Sequence, residues 1–312
     1  MGIVRNLVTG GAGFLGINLT EKLISNGEFV YCFDNFCTGN KINLANFSGN
    51  KNFHLINGDI RNPIENIKVD RIWHLACPCE PSYYQENSLL TLETNFLGTK
   101  NVLDLAVKLG AKVLFTSSSE VYGNSIIHPQ KEDYKGNVNF RGKRSCYDEG
   151  KRVAESLCAN YAKCFDIDIR TVRIFNTYGP NMRINDSRVI SSFIFNAIKK
   201  KDLIIFGKGK QTRSFCYVDD LIKGIIKAMD SDIRNPINLG NTEEISILDL
   251  AYKIRKKINP SLNINFLSCQ EDDPQRRLPD ISFAKNKLNW TPETSLEKGL
   301  DLTINWFKEK LI

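Results

Sequence analysis

"TGGAGFLG", residues 9–16, follows a short apolar run, "NLVTG" at 6–10, and opens a stretch with helical spacing near 14–26. Glycines at 10, 13 and 16 between a strand and a helix permit a tight turn. They also let the backbone approach a pyrophosphate, whose charge the helix N-terminus favours. Alone, such glycines describe any glycine-rich turn. The strand before them, and Asp34 at the end of the next strand "FVYCFD" (29–34), turn the reading toward a dinucleotide site. A carboxylate there can accept both hydroxyls of an adenosine ribose and repels a 2′-phosphate, so NAD is expected rather than NADP.

The same alternation continues outward. "FHLING" (53–58), "RIWHLA" (71–76), "KVLFTS" (112–117) and "IDIRTVRIF" (167–175) read as further strands, with helices near 91–108 and 148–164 between them. Strands spaced by helices predict an α/β fold: a doubly wound parallel (Rossmann) sheet that binds ligands at the carboxyl ends of its strands. On this pattern 1–175 forms the NAD-binding domain that carries the catalytic residues. Residues 176–312 form mainly a smaller, interlocked α/β substrate-binding lobe, partly interleaved with the first. There "FGKGKQTRSF" (206–215) and "DDPQRRLPD" (272–280) read as basic, turn-rich loops. No repeat or low-complexity tract interrupts the chain.

Composition narrows the function classes. The chain has 312 residues, 42% hydrophobic, enough to bury a large core. Its 42 Lys+Arg against 35 Asp+Glu give +7, which fits an anionic partner or a solvated basic surface. No polybasic run favours nucleic acid. Nine scattered cysteines without a CxxC pair read as free thiols of a reducing compartment, and a cytoplasmic location is expected. Cys77-Pro78-Cys79 lacks the histidines a metal site would add, so no metal is expected. Apolar runs are too short to span a bilayer, and strand residues begin almost at Met1. Neither a membrane partner nor a signal peptide is expected.

Two further stretches carry chemistry. In "CYDEGK" (146–151), Tyr147 and Lys151 lie four apart on one helix face, where an ammonium can favour the ionised phenol and make it a usable base. Such pairs are also common on surface helices. In "LFTSSSEVYG" (114–123), a buried strand runs out into Ser117, Ser118 and Ser119 and then an acid, Glu120, whose plain alternative is a helix cap or a surface carboxylate.

The glycine motif, "SSSEVYG" and the "YDEGK" helix, in this order, resemble the extended short-chain dehydrogenase/reductases that modify nucleotide sugars. Within that group "HLACP", "HPQKEDYKGNVN", "RSCYDEGKRVAE", "RIFNTYGP", "GKQTRSFCYVDDL", "INLGN", "DDPQRRLPDI" and "LNWTP" are similar, nearly end to end, to the UDP-glucuronate decarboxylases, also called UDP-xylose synthases. The resemblance implies NAD-dependent oxidation at carbon 4 of the sugar, loss of CO2 from the 4-keto intermediate, and return of hydride to give UDP-xylose. It implies Tyr147 as base, Lys151 tuning it, Ser118 and Ser119 as hydroxyl ligands, and Glu120 with Arg277 acting at carbon 5. The cofactor is expected against Gly10, Gly13, Phe14, Leu15, Gly16, Asp34, Asn35, Asp59, Ile60, Leu75, Ala76, Thr116, Tyr147 and Lys151. The nucleotide sugar is expected against Tyr84, Glu120, Asn176, Arg188, Arg213, Arg276 and Arg277, with guanidinium forks suited to a diphosphate. A homodimer paired through a four-helix bundle of the 91–108 and 148–164 helices is also implied.

The rivals are a 4,6-dehydratase, a 4-epimerase, a decarboxylase that releases a UDP-4-keto-pentose, and an NAD-binding module without catalysis. A dehydratase of this group pairs Asp with Glu at the strand end, where this chain has Ser119-Glu120, and a common epimerase carries no acid at the Glu120 position. Three departures from the decarboxylases stand out: Cys79-Glu80-Pro81 in place of "ASP", Glu93 in place of lysine, and Asn181 in place of arginine. Glu80 and Glu93 are expected to set negative charge near the substrate carboxylate and so weaken binding or alter the product.

Overall fold

The computed structural model describes residues 2–269 and 273–311. β1 (Arg5–Thr9), β2 (Phe29–Asp34), β3 (Phe53–Asn57), β4 (Arg71–His74), β5 (Lys112–Ser118) and β6 (Ile169–Ile174) form one sheet, joined by a strand at Ile237–Leu239. The order is Ile237–Leu239, β6, β5, β4, β1, β2, β3, and every neighbouring pair is parallel. The seventh strand therefore comes from beyond residue 175. Strand order reverses between β1 and β4, which opens a crevice at their carboxyl ends.

Near-continuous apolar runs are what a sheet covered on both faces demands. Val113 and Phe115 of β5 pack on one face with Val102, Leu103 and Ala154, while Leu114 joins Leu19, Leu23 and Leu221 on the other. Helix α1 (Phe14–Ser25) covers the second face. Its N-cap, Gly13, makes no side-chain cap, so the first helical N–H groups remain available.

The expected helix near 91–108 is broken. Helix α2 (Pro81–Glu86) opens with proline, which suits a first helical turn. After it come α3 (Ser88–Glu93), a π turn at Thr94–Gly98, and α4 (Thr99–Leu109). The cause is a close crossing by α5 (Ser145–Phe165): a Cβ on Gly150 would lie 2.7 Å from Nδ2 of Asn95. The wider turn accommodates that approach and buries Asn95.

The two basic stretches read as loops contain short strands. Thr212–Ser214 pairs antiparallel with Glu244–Ser246 and parallel with Arg276–Arg277, in a register that sets Arg213 opposite Arg277. This small sheet carries arginines over the crevice.

Candidate active site

A cavity of about 1180 Å³ occupies the crevice and runs from the glycine turn to the smaller lobe. At the glycine turn the fit is tight. Gly10 has φ +68° and abuts the backbone of Ala76, and a Cβ on Gly16 would lie 2.2 Å from the Gly10 carbonyl oxygen. Only a bare backbone fits there, and the uncapped α1 N-terminus faces the space. Asp34 is nearly buried and accepts from the N–H groups of Ala12 (2.9 Å) and Phe36 (2.7 Å). Burial raises its carboxyl above the ordinary value, against the pull of those two donors. Gly13, Phe14, Leu15, Asn35, Ile60, Leu75, Ala76 and Thr116 line the same space. These residues suit a dinucleotide.

Asp59 does not line the cavity, because its carboxylate is spent on Arg61 (2.9 Å) and on the Asn35 amide (3.2 Å). The wall there is made by Gly58 and Ile60. Glu93 also differs from expectation: half-exposed, it pairs with Arg61 at 2.7 Å and stays out of the cavity.

The carboxyl end of β5 meets the first turn of α5. Ser118 caps the turn by accepting from the Glu120 N–H at 3.3 Å, and its hydroxyl bonds to the Tyr147 phenol. Ser119 and Glu120 are buried beside it. Tyr147 is 7% exposed and stacks on Tyr84, centroids 5.0 Å apart. Lys151 donates to the Thr116 carbonyl at 3.0 Å, and its ammonium stands 5.8 Å from the Tyr147 ring. Burial pushes the Tyr147 phenol well above its usual range, and the nearby thiols of Cys77 and Cys79 add to the rise. The Ser118 hydrogen bond pulls the other way, and Lys151 stands on the same helix face as the phenol, as expected for an ammonium placed to favour its ionised form.

Glu120 is the most heavily engaged group. Arg277 reaches its Oε1 at 2.8 Å and Arg144 its Oε2 at 2.7 Å. Burial works against the carboxylate's charge, but Arg144 and then Arg277 outweigh it and hold the group at about 2. Arg213 lies beside Arg277 and pairs with Asp273 at 2.9 Å; burial and then the Arg277 charge draw it down to about 10. At this end of the cavity three guanidiniums, those of Arg144, Arg213 and Arg277, thus stand against the two acids Glu120 and Asp273, and the local excess is positive. An anionic ligand balances it.

Other expected contacts are placed unevenly. Asn176 and Tyr84 line the cavity, the amide oxygen of Asn176 accepting from Arg277 at 3.5 Å. Arg188 lines it too, braced by Asp186 (Nε to Oδ1, 2.9 Å) over the Phe14 ring. Arg276 points away, paired with Glu244 at 2.7 Å on an exposed surface. Glu80 is buried but not bare: it accepts from the Ser187 N–H (3.0 Å) and Ser82 (3.2 Å) and pairs with Arg183 at 3.1 Å. Its charge is neutralised within the protein. Asn181, at φ +70°, lines the cavity and donates to the Asn18 side chain at 3.2 Å.

Arg144 and Asp148 escaped the sequence reading. The signal was present, because 144, 147, 148 and 151 fall on one face of a helix. A buried acid such as Glu120 also requires a compensating cation.

Comparison with known proteins agrees with this geometry. Residues 7–303 match the family described as GDP-mannose 4,6 dehydratase. UDP-glucuronic acid decarboxylase 1 of Xenopus tropicalis is 49% identical over 307 residues, 98% of this chain and 73% of that protein. UDP-glucuronic acid decarboxylase 3 of Arabidopsis thaliana is 48% identical over 309 residues, 99% of this chain and 90% of that protein. Among solved structures, the UDP-glucuronic acid 4-epimerase of Bacillus cereus in complex with UDP-glucuronic acid and NAD superposes with a TM-score of 0.89 at 30% identity. It covers 98% of this chain and 100% of its own.

Proposed function

Because the chain belongs to the GDP-mannose 4,6 dehydratase family and, within it, to the UDP-glucuronic acid decarboxylases, we propose that it decarboxylates UDP-glucuronate to UDP-xylose with NAD. The observation that carries this reading is Glu120, ionised between Arg144 and Arg277 at the end of β5, two residues past the Ser118 that bonds to Tyr147.

NAD, which the glycine turn, Asp34 and the cavity wall from Leu75 to Thr116 would hold, supplies a hydride acceptor and later the donor. Tyr147 takes the proton of the sugar's 4-hydroxyl while Ser118 holds that hydroxyl. The product ketone at carbon 4 lies β to the carboxylate, so the electrons of the breaking carbon–carbon bond pass into it as an enolate when CO2 leaves. Arg277, which lines the cavity and pairs with Glu120 at 2.8 Å, stabilises that developing charge. A proton then adds at carbon 5, carbon 4 is reduced again, and Tyr147 returns its proton. Ser119 supplies no second acid for water elimination. With Glu80 neutralised by Arg183 and Glu93 outside the cavity, neither acid opposes the substrate carboxylate, which supports complete turnover over release of a keto sugar.

Mass spectrometry of UDP-glucuronate incubated with the protein and NAD tests the reading. Loss of CO2 with hydride restored is the expected result. Loss of CO2 without hydride would replace the product by a 4-keto-pentose, and unchanged substrate would refute the activity. The nine unpaired cysteines suit a reducing, cytoplasmic setting, and no described helix is long and apolar enough to cross a membrane. A homodimer through α3, α4 and α5 completes the proposal.

A further inference from the structure

Decarboxylation of a glucuronate consumes one proton per turnover that the site does not regenerate. The hydride and the Tyr147 proton are borrowed and returned, whereas the proton that replaces CO2 at carbon 5 must come from solvent. Glu120 is the acid the proposed reaction assigns to that carbon, yet two guanidiniums hold it ionised, so it stores no proton.

On the far side of Arg144, the partner of Glu120, lies a second cavity of about 440 Å³, lined by Asn124, Asn137, Arg144, Asp148, Cys269 and Asp273 among others. Arg144 and Asp273 also line the main cavity and form the partition between the two. Asp148 belongs to the second cavity alone. It is 6% exposed, and its Oδ1 has no hydrogen-bond partner. A buried, unpartnered carboxyl oxygen in a polar space with room for several waters is a place for ordered water.

We propose that Asp148 and this second cavity form a proton inlet to carbon 5, acting through Glu120 and separate from the mouth that admits the substrate. The proposal rests on the decarboxylase reading, and Asp148 serves in it as a positioning residue that does not touch the sugar. Burial, and next the charge of Glu120, push its carboxyl up to about 8 against the pull of Arg144 and Arg277, while Glu149 adds to the rise. Asp273 and Cys269 face it across the cavity. It therefore carries a proton at neutral pH. In the transfer, the Asp148 O–H bond breaks and its electron pair stays on oxygen, and the proton passes by way of the Glu120 carboxylate to carbon 5. There the enolate's electron pair forms the C–H bond and the carbon 4 ketone is restored. A proton from bulk solvent, relayed through water in the cavity, reprotonates Asp148.

The test is a single turnover of holoenzyme with UDP-glucuronate, following bound NADH and CO2 in wild type and Asp148→Asn. Hydride removal should proceed at the wild-type rate. Re-oxidation of NADH should slow roughly 10- to 100-fold with a larger solvent deuterium effect, and added formate should partly restore it. Wild-type re-oxidation should fall as pH rises through about 8, and the variant should lack that limb. Re-oxidation at the wild-type rate, or equal slowing of both steps without formate rescue, would overturn the inlet alone. A wild type that releases no CO2 would overturn the decarboxylase reading and the inlet together. Should Asp148→Asn not fold, Cys269→Trp decides by filling the exposed rim of the second cavity: selective slowing of re-oxidation supports the inlet, and unchanged re-oxidation overturns it.

Discussion

Replacing Glu120 by glutamine leaves Arg144 and Arg277 buried without their shared counter-charge, and breaking such a pair typically costs about 3–5 kcal/mol. Glu120→Gln should therefore lower the melting temperature, read by thermal unfolding, and should slow the steps after hydride removal more than the removal itself. Equal slowing would sink a role at carbon 5. Because the folded-state pKa of Glu120 is depressed to about 2, its contribution is fully present above the ordinary value of 4.5 and is lost as pH falls toward about 2. The stability gap between variant and wild type should close over that window. Asp148 has the opposite sign. Raised to about 8, it contributes stability that is present below its ordinary value of 3.8 and is lost as pH rises through about 8. Asp148→Asn should thus melt higher than wild type at mildly alkaline pH, and an unchanged difference between neutral and alkaline melts would contradict the assignment. Tyr147→Phe should reduce the rate of NAD reduction by roughly 100- to 10,000-fold, measured from NADH absorbance on adding UDP-glucuronate. Tyr147, Lys151, Glu120 and Asp34 were legible because each stands at a fixed place in a strand or helix pattern. Arg144 was less so: it shares the helix face of Tyr147 and Lys151, but that spacing does not by itself mark which of 42 basic residues answers the buried acid.

At the scale of elements, the crossing of α5 over the π turn sets where Tyr147 and Lys151 stand relative to β5. Gly150→Ala places a methyl 2.7 Å from Asn95 Nδ2 and 3.1 Å from both its Cβ and Cγ, so the whole Asn95 side chain must shift, along with its 2.9 Å bond to the Thr91 carbonyl. Alanine gains about 1 kcal/mol over glycine in helix propensity, whereas overpacking costs about 1–3 kcal/mol. The net change should be destabilising, and hydride removal should slow because α5 carries the base. A stabilised variant with normal turnover would show that the helices can separate freely. Periodicity located both helices in the sequence but not the break, since a π turn adds one residue without changing the apolar pattern enough to read. The strands of the smaller lobe were missed for a related reason: Thr212–Ser214 and Arg276–Arg277 are too short to show any period, and only their mutual register places Arg213 against Arg277.

For the whole molecule, the parallel sheet followed from sequence because five of its first six strands bury apolar residues and the sixth, the edge strand β3, still reads as an apolar run although it is half-exposed, whereas the seventh, Ile237–Leu239, is three residues long and arrives after an excursion into the other lobe. The remaining question is what covers the outer face of α3 and α5. Leu89 is 76% exposed, and Leu92 and Phe96, three and seven residues on, share its face; Phe165 at the end of α5 is 55% exposed. α5 packs against both α3 and α4, so these exposed apolar residues lie on neighbouring helices. A second copy related by a two-fold axis would bury it as a four-helix bundle and gain about 1.5–3 kcal/mol for each fully covered Leu or Phe. Light scattering should then give twice the 35.4 kDa of one chain. Leu89→Asp combined with Phe96→Asp should give the monomer and slow turnover, because Phe96 belongs to the π turn that meets α5 at Gly150, one helical turn from Tyr147. NAD affinity should change little in the same variant, since α1, which the glycine turn opens, packs on the opposite face of the sheet from α4 and α5. A wild type of single-chain mass would refute the dimer, and a dimer that survives both aspartates would move the interface elsewhere on the surface.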